Sequence, residues 1–309
     1  LEFRRVLFRS PTRRRPAPLA ALALALATAA CAPGFERVGP TTPLAPAPAP
    51  APDAAPAAAA PAITIDRIEL RWSNVYLVRN ADTAILIDAG SPVDRPALTA
   101  ALAARGLAPT QIAAVVVTHA HADHAGNARW LQRQGARVVL GAADAVVAAR
   151  GANDPLHATN LLGALLAPVF MFPFEPFTAD VAVSAPVTLA DRGLPELTVL
   201  PAPGHTPGSI VARLGNEVFS GDLVKGDLIG DAHAPSEHLY QADRLADHAA
   251  LAAVLDAGAT RLYPGHRGPL DARDVRAWLA GAADDTGALA IALAADARGE
   301  LARDGASGA

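Results

Sequence analysis

An α/β fold with its strands and helices packed in layers is what this sequence predicts. Short β-branched runs alternate with alanine-rich helical stretches, the strand-like runs often come in pairs, and no internal repeat is visible. Such pairing favours a layered sandwich over a barrel. Composition agrees: of 309 residues, 51% are hydrophobic, 18% charged and 5% aromatic, which excludes a disordered, collagen-like or polytopic membrane chain. Much of the apolar share is alanine, which buries little area per residue, so the core is smaller than that share suggests.

In order, the chain divides into a leader at 1–31, a Pro/Ala-rich linker at 32–62, a catalytic domain at 63–285 and a tail at 286–309. Met171 is the only methionine, and residues 1–10 read as sequence read-in rather than fold. Arg13, Arg14 and Arg15 precede an apolar run at 19–30 that is too short to span a bilayer comfortably, the pattern of a secretion signal. It ends at Thr28-Ala29-Ala30-Cys31, which resembles a bacterial lipobox. That resemblance implies an exported lipoprotein of the periplasm or outer membrane, held to the membrane through Cys31; ordinary cleavage after small residues is the competing reading. Cys31 is the only cysteine, so the chain forms no internal disulfide and has no thiolate left for a metal site. Residues 39–62 hold 8 of the 27 prolines and read as an extended tether.

From residue 63 onward, 19 basic residues face 27 acidic ones, a net charge of −8. That balance disfavours nucleic acid as a partner, because such affinity rests on basic surface. A small-molecule substrate is expected instead. Strands are predicted at 63–70, 74–78, 84–88, 113–118, 137–140, 181–184, 197–202, 210–214, 218–220 and 261–263. Helices are predicted at 95–104, 129–133, 142–149, 243–256 and 272–279.

The chemistry concentrates where these strands end. Thr118-His119-Ala120-His121-Ala122-Asp123-His124 places three imidazoles and a carboxylate directly after an apolar strand. Clustering of this density is costly unless a cation offsets repulsion and desolvation, and imidazole with carboxylate suits zinc, iron or manganese. Three glycine loops follow, Pro203-Gly204-His205-Thr206-Pro207-Gly208, Ser220-Gly221-Asp222 and Pro264-Gly265-His266, each putting a candidate ligand beside a glycine. Glycine lets a strand-end loop turn sharply and approach a shared centre closely.

With these motifs the chain resembles the metallo-β-lactamase superfamily across about residues 63–285. The resemblance implies a four-layer αβ/βα sandwich and a two-metal centre. In it His119, His121 and His205 hold one ion, Asp123, His124 and His266 hold the second, and Asp222 bridges them. It also implies that Asp88, in Leu86-Ile87-Asp88-Ala89-Gly90, orients the metal loop without ligating. Two divalent ions are expected, zinc first, with manganese or iron as alternatives. The implied activity is that of a metal-dependent hydrolase in which a metal-bridging hydroxide attacks an ester, lactone or thioester. Asp123 is the catalytic candidate, placed to orient the nucleophile or carry a proton.

Superfamily β-lactamases lack the bridging aspartate, so Asp222 points towards the glyoxalase II, lactonase and phosphodiesterase side. The 43 residues after His266 leave little room for a glutathione-binding helical domain, which makes a glutathione thioester a weaker expectation. Alternatives are a mononuclear-iron persulfide dioxygenase, a β-lactam or phosphodiester hydrolase, and a non-catalytic ligand-binding lipoprotein. Between 153 and 178, Phe170, Phe172, Phe174 and Phe177 suggest an apolar lid for a lipophilic substrate, with packing on the sandwich as the rival reading. Tyr240 is the first tyrosine to examine as a proton donor, whereas Tyr76 and Tyr263 read as packing. His157, His233, His238 and His248 read as solvated or structural.

Overall fold

The computed structural model describes residues 63–282 and the backbone of residues 35–36. Expectations placed on the leader, Cys31, most of the linker and the tail lie outside the described residues. The chain begins with β1 (Phe35–Glu36), β2 (Thr64–Glu69), β3 (Asn74–Arg79), β4 (Ala84–Ile87), α1 (Arg95–Ala103) and β5 (Ile112–Val117). It continues through α2 (Ala122–Ala125), α3 (Ala128–Arg133), β6 (Arg137–Gly141), α4 (Ala145–Arg150), α5 (Leu161–Phe170), β7 (Val181–Val183), β8 (Val187–Leu189) and β9 (Leu194–Pro201). Then come β10 (Ile210–Leu214), β11 (Glu217–Gly221), β12 (Lys225–Gly226), β13 (Pro235–Ser236), α6 (Arg244–Asp256), β14 (Arg261–Pro264), β15 (Leu270–Asp271) and a helix, α7, over 272–282.

One sheet runs β1-β2-β3-β4-β5-β6-β7, antiparallel up to β4 and parallel from β4 to β7. The second runs β15-β14-β11-β10-β9-β8 and is antiparallel apart from the β11–β14 pair. Period-two alternation sorts the side chains into layers. Val115 and Val117 of β5 pack with Leu98, Leu102 and Leu131 of the helices outside the first sheet. Ala114 and Val116 turn the other way, against Val199, Ile210 and Phe219 of the second sheet. Beyond it, Val211, Val218 and Leu262 pack with Leu251 and Leu255 of α6 and with Val275. Helices, sheet, sheet, helices: the four-layer sandwich is the observed architecture.

Each predicted strand and helix falls on an observed element. The segment 153–178 needs correction. Phe174 and Phe177 are buried in the helix-side core of the first sheet, with Phe172 packed against it, so they are core rather than lid. α5 packs through Leu166 against Leu239 and Tyr240 and leaves Leu161 76% and Leu165 66% exposed.

Register brings the functional loops together. Ile87 pairs with Val116 in the parallel β4–β5 pair, so Asp88 and Thr118 emerge side by side. Gly221 pairs with Pro264 in β11–β14, which sets Asp222 beside the loop of His266. Across the sandwich, the Ile210 N–H donates to the Thr118 carbonyl at 2.8 Å and the Asn74 N–H to the Gly265 carbonyl at 2.7 Å, tying both sheets at this end.

Candidate metal centre

All seven predicted donors meet at that end. Asp222, buried, is the hub: its Oδ2 lies 3.2 Å from His266 Nε2, 3.4 Å from His124 Nε2, 3.6 Å from His205 Nε2 and 3.8 Å from His119 Nε2. His205 Nε2 is 3.0 Å from His121 Nδ1. On the other side, Asp123 Oδ2 is 3.6 Å from both His124 Nε2 and His266 Nε2. Donor atoms of His119, His121 and His205 form one group within 4.8 Å of one another, and those of Asp123, His124 and His266 form another. Asp123 and His266 keep 16% of their side chains exposed, so the centre opens to solvent on their side.

Why the loop adopts this shape follows from its anchors. Asp88 sits at φ 65°, a left-handed conformation that aspartate tolerates better than most residues. From there its Oδ1 accepts the Thr118 N–H at 2.7 Å, while its Oδ2 lies 2.9 Å from His124 Nδ1. Held this way, His124 points Nε2 inward. Sequence reasoning missed three further supports. Asp144, buried at the start of α4, accepts from the Ala120 N–H at 2.8 Å, the Thr206 hydroxyl at 2.9 Å and the Gly208 N–H at 2.8 Å, stapling the His119–His124 loop to the His205 loop. Asn153 accepts the Ala122 N–H at 2.8 Å and donates to the Phe170 carbonyl at 3.1 Å. Asp247 on α6 lies against Gly204 and accepts from the Gln241 amide at 3.0 Å. None stands in a motif; only a buried acid or amide in an otherwise alanine-rich stretch marks them.

Electrostatics separates the two halves. Burial pushes His121 down to about 4 and holds His119 and His205 well below the usual imidazole range, with neighbouring imidazoles adding to the effect. At His124 burial works the same way, but Asp222, Asp123 and Asp88 outweigh it and raise the imidazole well above that range; His266 is raised by Asp222. Burial would raise Asp222, yet His266, His238 and His124 hold it well below the ordinary carboxylate range. His119 Nε2 and Asp222 Oδ1 are buried without hydrogen-bond partners. Lone pairs stranded in the interior, on nitrogen and oxygen donors around one point, fit a divalent cation.

Other expectations fare differently. Tyr240 lines a cavity of about 190 Å³ beside His121 and His205, and its hydroxyl donates to the Gly163 carbonyl at 3.0 Å. Tyr76 and Tyr263 are buried between the sheets. His233 and His248 lie apart, on the Pro269 carbonyl and on Glu237. The solvated or structural reading of His238 needs correction: it is 7% exposed and its Nε2 lies 3.0 Å from Asp222 Oδ2, inside the centre. No glycine stands next to His238, unlike the motif ligands after Gly204, Gly221 and Gly265, so the local sequence did not mark it.

The family model described as the metallo-beta-lactamase superfamily matches residues 70–266. A 43-residue stretch is 54% identical to metallo-beta-lactamase domain-containing protein 1 of Homo sapiens, covering 14% of this chain and 16% of that one. Over 149 residues the chain is 30% identical to a hydroxyacylglutathione hydrolase of Anaeromyxobacter dehalogenans, covering 48% of this chain and 45% of the relative. The chain thus spans less than half the length of these curated relatives. Among solved structures, a metallo-beta-lactamase family protein from Thermus thermophilus superposes with a TM-score of 0.51 at 20% identity, covering 72% of this chain and 79% of that one. That likeness concerns the fold.

Proposed function

The chain belongs to the metallo-β-lactamase superfamily, and on that premise we propose that it is a two-metal hydrolase of an ester, lactone or thioester bond in a small, partly apolar substrate. The observation behind this reading is the placement of Asp222: one buried carboxylate oxygen within 4 Å of imidazoles from both donor groups, where a bridging ligand belongs. His119, His121 and His205 would hold one ion, and Asp123, His124 and His266 the other. Two divalent cations so held supply Lewis acidity for the scissile carbonyl and bring a bound water to a pKa of about 7.

The rest falls to the chain's own residues. Asp123, the more exposed of the centre's two carboxylates, would orient the attacking water or carry its proton towards the leaving oxygen or sulfur. Val147, Pro155, Leu156 and Tyr240 wall the cavity beside His121 and His205, an apolar seat for an acyl or alkyl group. Retention of Asp222 and the match to a hydroxyacylglutathione hydrolase both support acyl-oxygen or acyl-sulfur cleavage over β-lactam hydrolysis. Export and lipidation at Cys31 remain part of this proposal, resting on the lipobox-like Thr28–Cys31 run.

Metal analysis of purified protein, followed by a panel of lactone, ester, thioester, phosphodiester and β-lactam substrates, tests the reading. Two equivalents of zinc or manganese with lactone, ester or thioester turnover are expected, and Asp222→Asn should cut the stoichiometry to one. One iron with oxygen consumption on a persulfide would instead establish the dioxygenase.

A further inference from the structure

Five imidazoles, not four, surround Asp222. His238 follows β13, and its Nε2 at 3.0 Å is nearer to Asp222 Oδ2 than any of the four predicted donors. Ring centroids run His119–His124 at 4.2 Å, His124–His266 at 5.3 Å, His266–His238 at 5.3 Å, His238–His205 at 4.6 Å and His205–His119 at 4.4 Å. The rings therefore close a circle about the carboxylate, and His238 fills the gap between the two donor groups.

Its orientation is fixed from behind. His238 Nδ1 faces the Tyr240 backbone, 3.1 Å from its carbonyl oxygen and 3.3 Å from its nitrogen. With Nδ1 turned to that peptide, Nε2 is the nitrogen aimed at the centre, and a bound cation there would select the tautomer whose Nδ1–H donates to the Tyr240 carbonyl, the ordinary way a metal-ligating imidazole is held. The backbone is pinned as well, since the Thr159 hydroxyl donates to the His238 carbonyl at 2.7 Å and the Thr159 N–H to the Leu239 carbonyl at 2.9 Å. Nε2 of His238 and the donor atoms of His205 and Asp222 all lie within 4.8 Å of one another, the same spread as in the two groups already described.

We propose that His238 is an eighth donor of the centre, binding the divalent cation that His205 and Asp222 hold. This rests on the metal-centre reading above. The added imidazole raises the nitrogen share of that ion's shell, which favours zinc, cobalt or iron over magnesium or calcium. It also occupies a position that solvent or substrate would otherwise take, so one half of the centre is more closed than the other. The simpler arrangement, in which Nε2–H donates to Asp222 and never touches an ion, is the outcome to exclude.

Cobalt(II) provides the test, because each ligating imidazole that keeps a ring N–H contributes one exchangeable, hyperfine-shifted proton resonance. Wild-type protein loaded with cobalt alone should show six such resonances, five from His119, His121, His124, His205 and His266 and a sixth from His238. H238Q should lose one and retain bound cobalt; H238N serves the same purpose if the glutamine variant folds poorly. Five resonances in wild type, or six unchanged in the variants, would overturn the assignment of His238 alone. Failure of wild type to bind cobalt at all would remove the metal centre itself, and a count of bound cobalt separates the two cases.

Discussion

Gly265 has no room for a side chain. A Cβ built there would sit 2.2 Å from Asp222 Oδ1 and 2.5 Å from His124 Cε1, so the glycine is what lets the β14 loop press against the hub. Gly265→Ala should therefore fold yet retain its ions at least about 10-fold less tightly, the scale of lost support around a metal ligand. Competition against a chromophoric chelator measures this, and wild-type retention would show that Asp222 can shift at no cost. Protonation tells a related story. His119, His121 and His205 are held below the ordinary imidazole range, so they meet a cation already neutral, whereas His124 and His266 are held above it and must each lose a proton first. As pH falls, the Asp123–His124–His266 group should empty before the other, because its imidazoles take protons above the ordinary range while His119, His121 and His205 resist protonation. Calorimetry with zinc in two buffers of different ionisation enthalpy should show more protons released by one equivalent than by the other; equal release sinks the idea.

The elements act through staples. Asp144 joins the loop after β5 to the loop after β9 through three buried donors, and Asp144→Ala would strand the Ala120 and Gly208 N–H groups, while the Thr206 hydroxyl keeps its contact with the Ser209 hydroxyl. Each stranded buried group costs about 1–3 kcal/mol, so a loss of at least about 2 kcal/mol in a denaturant titration is expected. Asp247 on α6 behaves differently. Burial and then Glu237 push its carboxyl up to about 8, so the folded state favours the protonated form while the unfolded chain ionises near 4. A raised acid contributes stability that is full below about 4 and is lost as pH rises through about 8. Asp247→Asn, which cannot ionise, should melt above wild type at pH 8 and level with it at pH 4. A difference in melting temperature that is flat across that range would show that Asp247 is ionised or solvated in the fold. These supports were not legible in the sequence. The seven motif donors lie next to glycines or within one histidine-rich turn, a local signal; Asp144, Asn153, His238 and Asp247 acquire their roles only when strands distant in sequence pair. Similarly, β12, β13 and β15 have two residues each, too few for an alternation to be seen. Phe174 and Phe177 misled because an apolar run reads alike whether it covers a ligand or a sheet.

Across the whole molecule, the centre lies at one end of the seam between two sheets whose shared core is apolar. His119, His121, Asp123 and His124 belong to the first sheet's loops, while His205, Asp222 and His266 belong to the second's, so neither donor group is complete within one half of the sandwich. Ions bound there cross-link the layers, and unfolding must release them. With no affinity for the unfolded chain, free ion at 100 times its dissociation constant stabilises the fold by about 2.7 kcal/mol. For a domain of this size that corresponds to about 5–10 °C in melting temperature. Chelator-treated protein should melt lower by that amount for each ion it loses and recover fully on zinc addition. His119→Ala and His205→Ala, one from each half, should each abolish the part of the zinc-dependent shift due to their shared ion, because a donor group broken on either side of the seam no longer spans it. Scanning calorimetry of the four samples with and without zinc decides this. Should either variant keep the full shift, the ion is held within a single half, and the cross-linking role would be wrong even if the protein binds metal.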